Sequence, residues 1–120
     1  MPAQTPEQCF ALFAANFNSG NLEGLLALYE PGACLVQQNG PPARGTAALR
    51  QRLAAFVAIH PVYTSQVARV IDADDNLAML YSEWTLTANA STLSGKAIQI
   101  VRRQSDGTWK IVVDDPFGRN

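Results

Sequence analysis

Near the end of the chain the stretch DGTWKIVVDDPFG, Asp106 to Gly118, runs an apolar segment, residues 109–113, straight into two adjacent carboxylates. A carboxylate inside a protein is costly unless it is protonated, paired or hydrogen-bonded. One held there can serve as a general base or as a gripping acceptor for a ligand. Neighbouring side chains on a strand point to opposite faces, so only one of Asp114 and Asp115 can turn inward. His60, the only histidine, precedes Pro61 at the end of a helical stretch. A helix C-terminus favours its charged form, which suits either a solvated cap or an acid or base at a pocket mouth.

Other groupings carry less chemistry. DADDNLAMLYSE places Asp72, Asp74, Asn76 and Glu83 at positions 1, 3, 5 and 12 of a calcium loop. Position 6, which needs glycine for its sharp turn, is Leu77, and the residues after it alternate as a strand, so the segment reads as a hairpin turn. Cys9 and Cys34 sit in apolar neighbourhoods without metal-ligand spacing and read as small buried hydrophobes. With one histidine, a zinc or iron site of the usual kind is not expected, nor is any other cofactor. Arg102 and Arg103 face opposite sides of a strand, where one is a candidate partner for Asp114 or Glu83.

Three helices and a run of strands must position these groups. TPEQ offers Thr5 as N-cap, Pro6 as first helical residue and Gln8 as return partner of a capping box, and Gly20 ends the helix. Phe10, Phe13, Ala14 and Phe17 form its single apolar stripe, that of a helix pressed on something larger. Asn21 caps a second, short helix over residues 22–29, closed by EPG. Residues 33–38 are a strand candidate, and the paired prolines of NGPPARG predict a loop without regular structure. A third helix starts near Gly45 with Thr46 as cap, carries Leu49, Leu53, Phe56 and Val57 on one face, and is stopped by Pro61. Beyond Pro61 the period becomes two, and four strands follow in a meander separated by DADDN, NAST and SDG turns. In the strand after the first of these turns, Ala78, Leu80, Ser82, Trp84 and Leu86 form the mostly apolar face that should meet the helices.

At 120 residues the chain fits one domain, taken here as 1–120. Apolar residues at 48% against 16% charged argue for a folded core and against disorder. A net charge of -1 with no basic run gives no footprint for nucleic acid or an anionic membrane. The N-terminal residues lack the pattern of a secretion signal and no apolar run approaches about 20 residues, so a cytoplasmic location is expected.

The segments NSGNLEGLLALYEPGACL, RGTAALRQRL and DGTWKIV resemble the nuclear transport factor 2-like superfamily, which includes ketosteroid isomerases and SnoaL-like polyketide cyclases. The resemblance implies an α+β fold: a cone-shaped α+β barrel in which three N-terminal helices pack on a curved mixed, mainly antiparallel sheet. It further implies an apolar pocket open at one end and a homodimer through the sheet. Laid on this chain, the isomerase base position falls on Gln37, its tyrosine on Phe13 and its second acid on Gln99. An amide cannot take up a proton and a phenyl ring cannot donate one, which excludes steroid-type enolisation by that apparatus.

The same overlay turns Val113, Asp115 and Phe117 inward and Asp114 outward. Gln37, Gln99 and the Trp84 indole are then candidate donors to Asp115. Three functional readings follow. The first is a binder of a small apolar or aromatic carbonyl compound, its pocket lined by Phe13, Phe17, Gln37, Trp84, Gln99, Val113 and Phe117. The second is an isomerase, dehydratase or cyclase with Asp115 as base, assisted by His60. The third is an interaction module whose cone is filled by its own side chains. For the carboxylates themselves, a purely structural role, accepting backbone N–H bonds where the last strand turns, stays open.

Overall fold

The computed structural model describes residues 2–120. Helix α1, Pro6–Ser19, starts where the sequence predicts: Thr5 Oγ1 accepts the Gln8 N–H at 3.3 Å. The Gln8 side chain reaches back to the N–H of Gln4, one residue earlier than a standard capping box. Gly20, at φ +74°, closes the helix by donating its N–H to the carbonyls of Asn16 and Phe17. Cys9, Phe10, Phe13 and Phe17 are buried along one face.

Helix α2, Leu22–Leu26, is capped by Asn21, whose Oδ1 accepts the Gly24 N–H at 2.9 Å. It ends earlier than the apolar spacing suggests, because Tyr29 already belongs to strand β1, Tyr29–Leu35. There Tyr29 pairs with Ile111, and Leu28 accepts the Ile111 N–H at 2.7 Å. Pro31, without an N–H, falls in the stretch where this pairing shifts register, between Tyr29 and Cys34. The loop after β1 is not wholly irregular either. Directly after its two prolines, Ala43–Arg44 form the two-residue strand β2 against Cys34 and Leu35. Helix α3, Gly45–Val57, follows at once, so Thr46 lies inside it and the N-cap position is taken by Arg44 without a side-chain hydrogen bond. After the helix, His60 adopts φ +50° and leads into Pro61.

Four long strands complete the fold: β3, Val62–Asp74; β4, Leu77–Ala88; β5, Ser91–Arg103; and β6, Trp109–Asp115. The sheet order is β2-β1-β6-β5-β4-β3, with β1 and β6 parallel and every other neighbouring pair antiparallel. The two outer strands do not pair with each other, so the curved sheet stays open and is not a closed barrel. Ladder irregularities in β3 and opposite β5 add the local bending that bulges bring. Ala78, Leu80, Ser82, Trp84 and Leu86 are all buried, while Glu83, Thr85 and Thr87 are exposed. The face predicted for the core is therefore the one that α1 and α3 cover. In the DADDN turn, Asp74 accepts the Asn76 N–H at 2.7 Å and Asp72 pairs with Ala78, an ordinary hairpin. Arg102 meets Glu30 at 3.0 Å, and neither Asp114 nor Glu83 is its partner. Among the described residues no helix is long and apolar enough to cross a membrane.

Two backbone positions are sensitive. Asn89 and Ala90 link β4 to β5 with φ +53° and +65°, the two-residue turn that normally selects Asn-Gly. Gly95 lies opposite Trp84, and a Cβ there would stand 2.7 Å from the indole and 2.8 Å from the Pro116 carbonyl oxygen. Ala90→Gly is expected to raise the unfolding free energy by about 0.5–1 kcal/mol, since it relieves a left-handed alanine. Gly95→Ala is expected to lower it by about 1–3 kcal/mol through overpacking. Urea denaturation of the two variants beside the parent chain measures both.

Candidate functional site

The helix stripe and the buried sheet face do not fill the space between them. A cavity of about 300 Å³ remains, with Phe13 and Phe17 of α1, Leu53 and Phe56 of α3, and Tyr63 and Trp84 of the sheet among its walls. The aromatic rings form a connected series. Phe13 and Phe17 lie 5.6 Å apart, Phe17 stacks on Tyr63 at 5.1 Å, Tyr63 stacks on Trp84 at 6.1 Å, and Phe117 meets Trp84 edge-on at 5.3 Å. Offset and edge contacts of this kind fix ring orientations as well as bury area. Because Gly95 carries no side chain, the indole can lie across β5, where its Nε1 donates to the Pro116 carbonyl at 2.7 Å.

One charged side chain is buried in this wall, and it is Asp114, only 4% exposed. The register of β6 explains why. Val113 pairs with Ile100, but Ile111 pairs with Val101, leaving Val112 as an extra residue. This bulge shifts the alternation by one position, so Trp109, Ile111 and Asp114 face the core. Asp115 pairs with Ile98 and Val113 with Ile100, which places both on the opposite face of the sheet. The expectation that Asp115 and Val113 turn inward is thereby corrected: it assumed an unbroken period of two.

Asp114 is held from two sides. The Tyr29 hydroxyl donates to Oδ2 at 2.8 Å and the Gln99 amide donates to Oδ1 at 3.0 Å. Burial raises the proton affinity of the carboxyl above the ordinary 3.8, the two hydrogen bonds oppose that rise, and the Asp115 charge adds to it. Burial also pushes the Tyr29 hydroxyl well above its usual range, with the Asp114 charge acting in the same direction. Tyr63 is raised for the same two reasons. Gln99 is 3% exposed, and among the described residues neither its Oε1 nor the buried Ser82 hydroxyl has a hydrogen-bond partner.

The other candidates distribute as follows. Phe13, Phe17, Gln37, Trp84, Gln99 and Phe117 all border the cavity. Gln37 nevertheless spends its amide N–H on the Pro41 carbonyl, at 2.8 Å, and Trp84 donates to a backbone oxygen and not to a carboxylate. His60 is exposed and lies away from the cavity, to which α3 contributes Arg52, Leu53 and Phe56 instead. Cys9 and Cys34 are both free and buried, and burial pushes the Cys9 thiol up to about 12. Among the described residues no three His, Cys, Asp or Glu side chains converge in a way that could hold a metal ion. The sequence reading turns Asp114 outward and takes Tyr29 and Tyr63 as packing residues with hydroxyls at the rim, whereas the structure buries all three. Nothing in WKIVVDD marks the bulge, and a tyrosine flanked by apolar residues reads the same whether its hydroxyl is solvated or buried.

No curated protein matches the sequence significantly. Among solved structures, a ketosteroid isomerase-like protein from Erwinia carotovora atroseptica superposes with a TM-score of 0.74 at 15% identity, over 91% of this chain and 89% of that one. A domain with a cystatin-like fold from Nostoc punctiforme gives 0.80 at 13% identity, over 94% and 74%. A candidate dehydratase of the NTF2-like family from Streptomyces avermitilis gives 0.71 at 13% identity, over 91% and 90%. At these identities the likeness concerns the fold. The sequence model of the SnoaL-like domain matches residues 10–113, a span that holds the aromatic stripe of α1 and the whole meander up to the bulge of β6, and the chain belongs to that family.

Proposed function

We propose that the chain binds a small apolar or aromatic molecule in the hollow beneath α1, with the polar end of the molecule against Asp114 and Gln99. The observation that carries this reading is the combination of an unfilled space of about 300 Å³ between aromatic walls and a buried acid-amide pair on one of them. Pockets for small molecules start at about this size and combine apolar lining with a few fixed polar groups. Burying about 200 Å² of apolar ligand surface supplies at most about 5 kcal/mol, which corresponds to sub-millimolar affinity. Tighter binding and any selectivity must then come from the polar end.

A second reading, an enzyme of isomerase, dehydratase or cyclase type, is favoured by one specific feature: the carboxyl of Asp114 has its proton affinity raised by burial, as a general base requires. In that reading Asp114 takes a proton from the substrate, and Tyr29 and Gln99 position it.

The variant Asp114→Asn separates the two. Candidate compounds selected by thermal-shift screening are titrated calorimetrically, and incubated samples are followed by NMR for chemical change. A binder keeps its affinity to within about tenfold in the variant and shows no turnover in either protein. An enzyme converts the compound and loses about 10² to 10⁴ in rate on substitution. A chain that neither shifts its melting temperature nor alters any compound in a broad library contradicts both readings.

The same residue makes a pH prediction. Because its pKa is raised in the folded state, the folded protein holds this proton where the unfolded chain has released it. Its contribution to stability is fully present below the unfolded value near 3.8 and is lost as pH rises through the raised folded value. Measured by urea denaturation across pH 3 to 8, the stability of the parent chain relative to Asp114→Asn should fall with rising pH and then level off. A difference that grows with pH contradicts the assignment.

A further inference from the structure

Building on the reading of this hollow as a ligand site, we propose that the buried end of the ligand is a hydroxyl group that donates a hydrogen bond, as in an alcohol or phenol, and not a bare carbonyl. The inference comes from an inventory of donors and acceptors at the polar wall. Tyr29 commits its hydroxyl to Asp114, Gln99 commits an amide N–H to the same carboxylate, Trp84 donates to the Pro116 carbonyl, and Gln37 donates to the Pro41 carbonyl. What is left over on Asp114 and on the Gln99 amide oxygen is acceptor capacity. Gln99 Oε1 is buried without a partner, and each oxygen of Asp114 has one donor where it can accept more.

A ligand carbonyl placed here could accept from Tyr63, but it has no proton to give and would leave Gln99 Oε1 and the spare capacity of Asp114 unmet. A ligand hydroxyl reverses the situation: its O–H satisfies Gln99 Oε1 or Asp114, and its lone pairs accept from Tyr63. That tyrosine is buried in the wall of the same cavity that Asp114 and Gln99 line. A buried site with unpaired acceptors rejects an analogue that lacks the matching donor far more strongly than an apolar wall rejects a missing methylene. The rest of the ligand is flat and apolar, to match the stacked rings of Phe17, Tyr63 and Trp84.

The test uses four compounds on one bicyclic skeleton: 2-naphthol, 2-methoxynaphthalene, 2-acetylnaphthalene and naphthalene. Each is titrated into the parent chain and into Gln99→Met by calorimetry, with circular dichroism confirming that the variant folds. The expected result is that 2-naphthol binds the parent at least tenfold tighter than the ether and the ketone, and that the advantage shrinks in Gln99→Met. If the ketone or the ether binds as tightly as 2-naphthol, the donor inference is overturned while the hollow stands as a ligand site. If none of the four binds, naphthalene included, the ligand reading falls and the inference with it. The comparison on the parent chain decides the matter even where the variant does not fold.

Discussion

The cost of taking a carboxylate out of water governs the closing end of this molecule. Asp114 sits in the core side of the sheet, and the surroundings needed to keep it there come from two other strands, a tyrosine at the start of β1 and a glutamine in β5, together with the bulge within its own strand. Removing either donor while keeping the acid would leave a buried group short of partners, a change that costs more than the bond itself contributes. The parallel pairing of β1 with β6 is what brings Tyr29 within reach, since Tyr29 lies opposite Ile111 and Leu35 opposite Asp114. Val36 adds a backbone link by donating its N–H to the Asp114 carbonyl at 2.8 Å.

The aromatic side of the hollow obeys a different constraint, that of packing. Phe13 touches Phe17, Tyr29 and Tyr63, so the helix stripe is joined both to the acid's donor and to the stacked rings of the sheet. Trp84 is locked by its bond to Pro116 and by the absence of a side chain at Gly95. Apolar walls held this firmly leave little freedom to collapse into the space between them. A hollow with aromatic walls and a buried acid-amide pair on one of them is the outcome, and its chemistry is set by which hydrogen-bonding capacities that pair has already used.

Much of this was legible in the sequence, and the reasons differ by element. The boundaries of α1 followed from Thr5, Pro6 and Gly20, because caps act through local backbone groups that a sequence displays directly. The inward face of β4 followed from simple alternation, since no bulge interrupts its pairing with β5. The early end of α2 was hidden, because Leu22, Leu25, Leu26 and Tyr29 keep a helical spacing and only the distant pairing with β6 draws Tyr29 into a strand. The identity of the buried acid was hidden for a similar reason. Val112 bulges to suit its neighbour β5, and two adjacent valines carry no mark of which one is extra.

The bulge beside two consecutive aspartates has an evolutionary consequence. In a relative that loses one of the two valines, the strand becomes regular and the first aspartate still faces the interior. In one that keeps both valines and irons the strand flat, the second aspartate rotates into its place. A doublet at this position thus buffers the interior charge against insertions, deletions and slips of a single residue, so long as the tyrosine and glutamine opposite can follow.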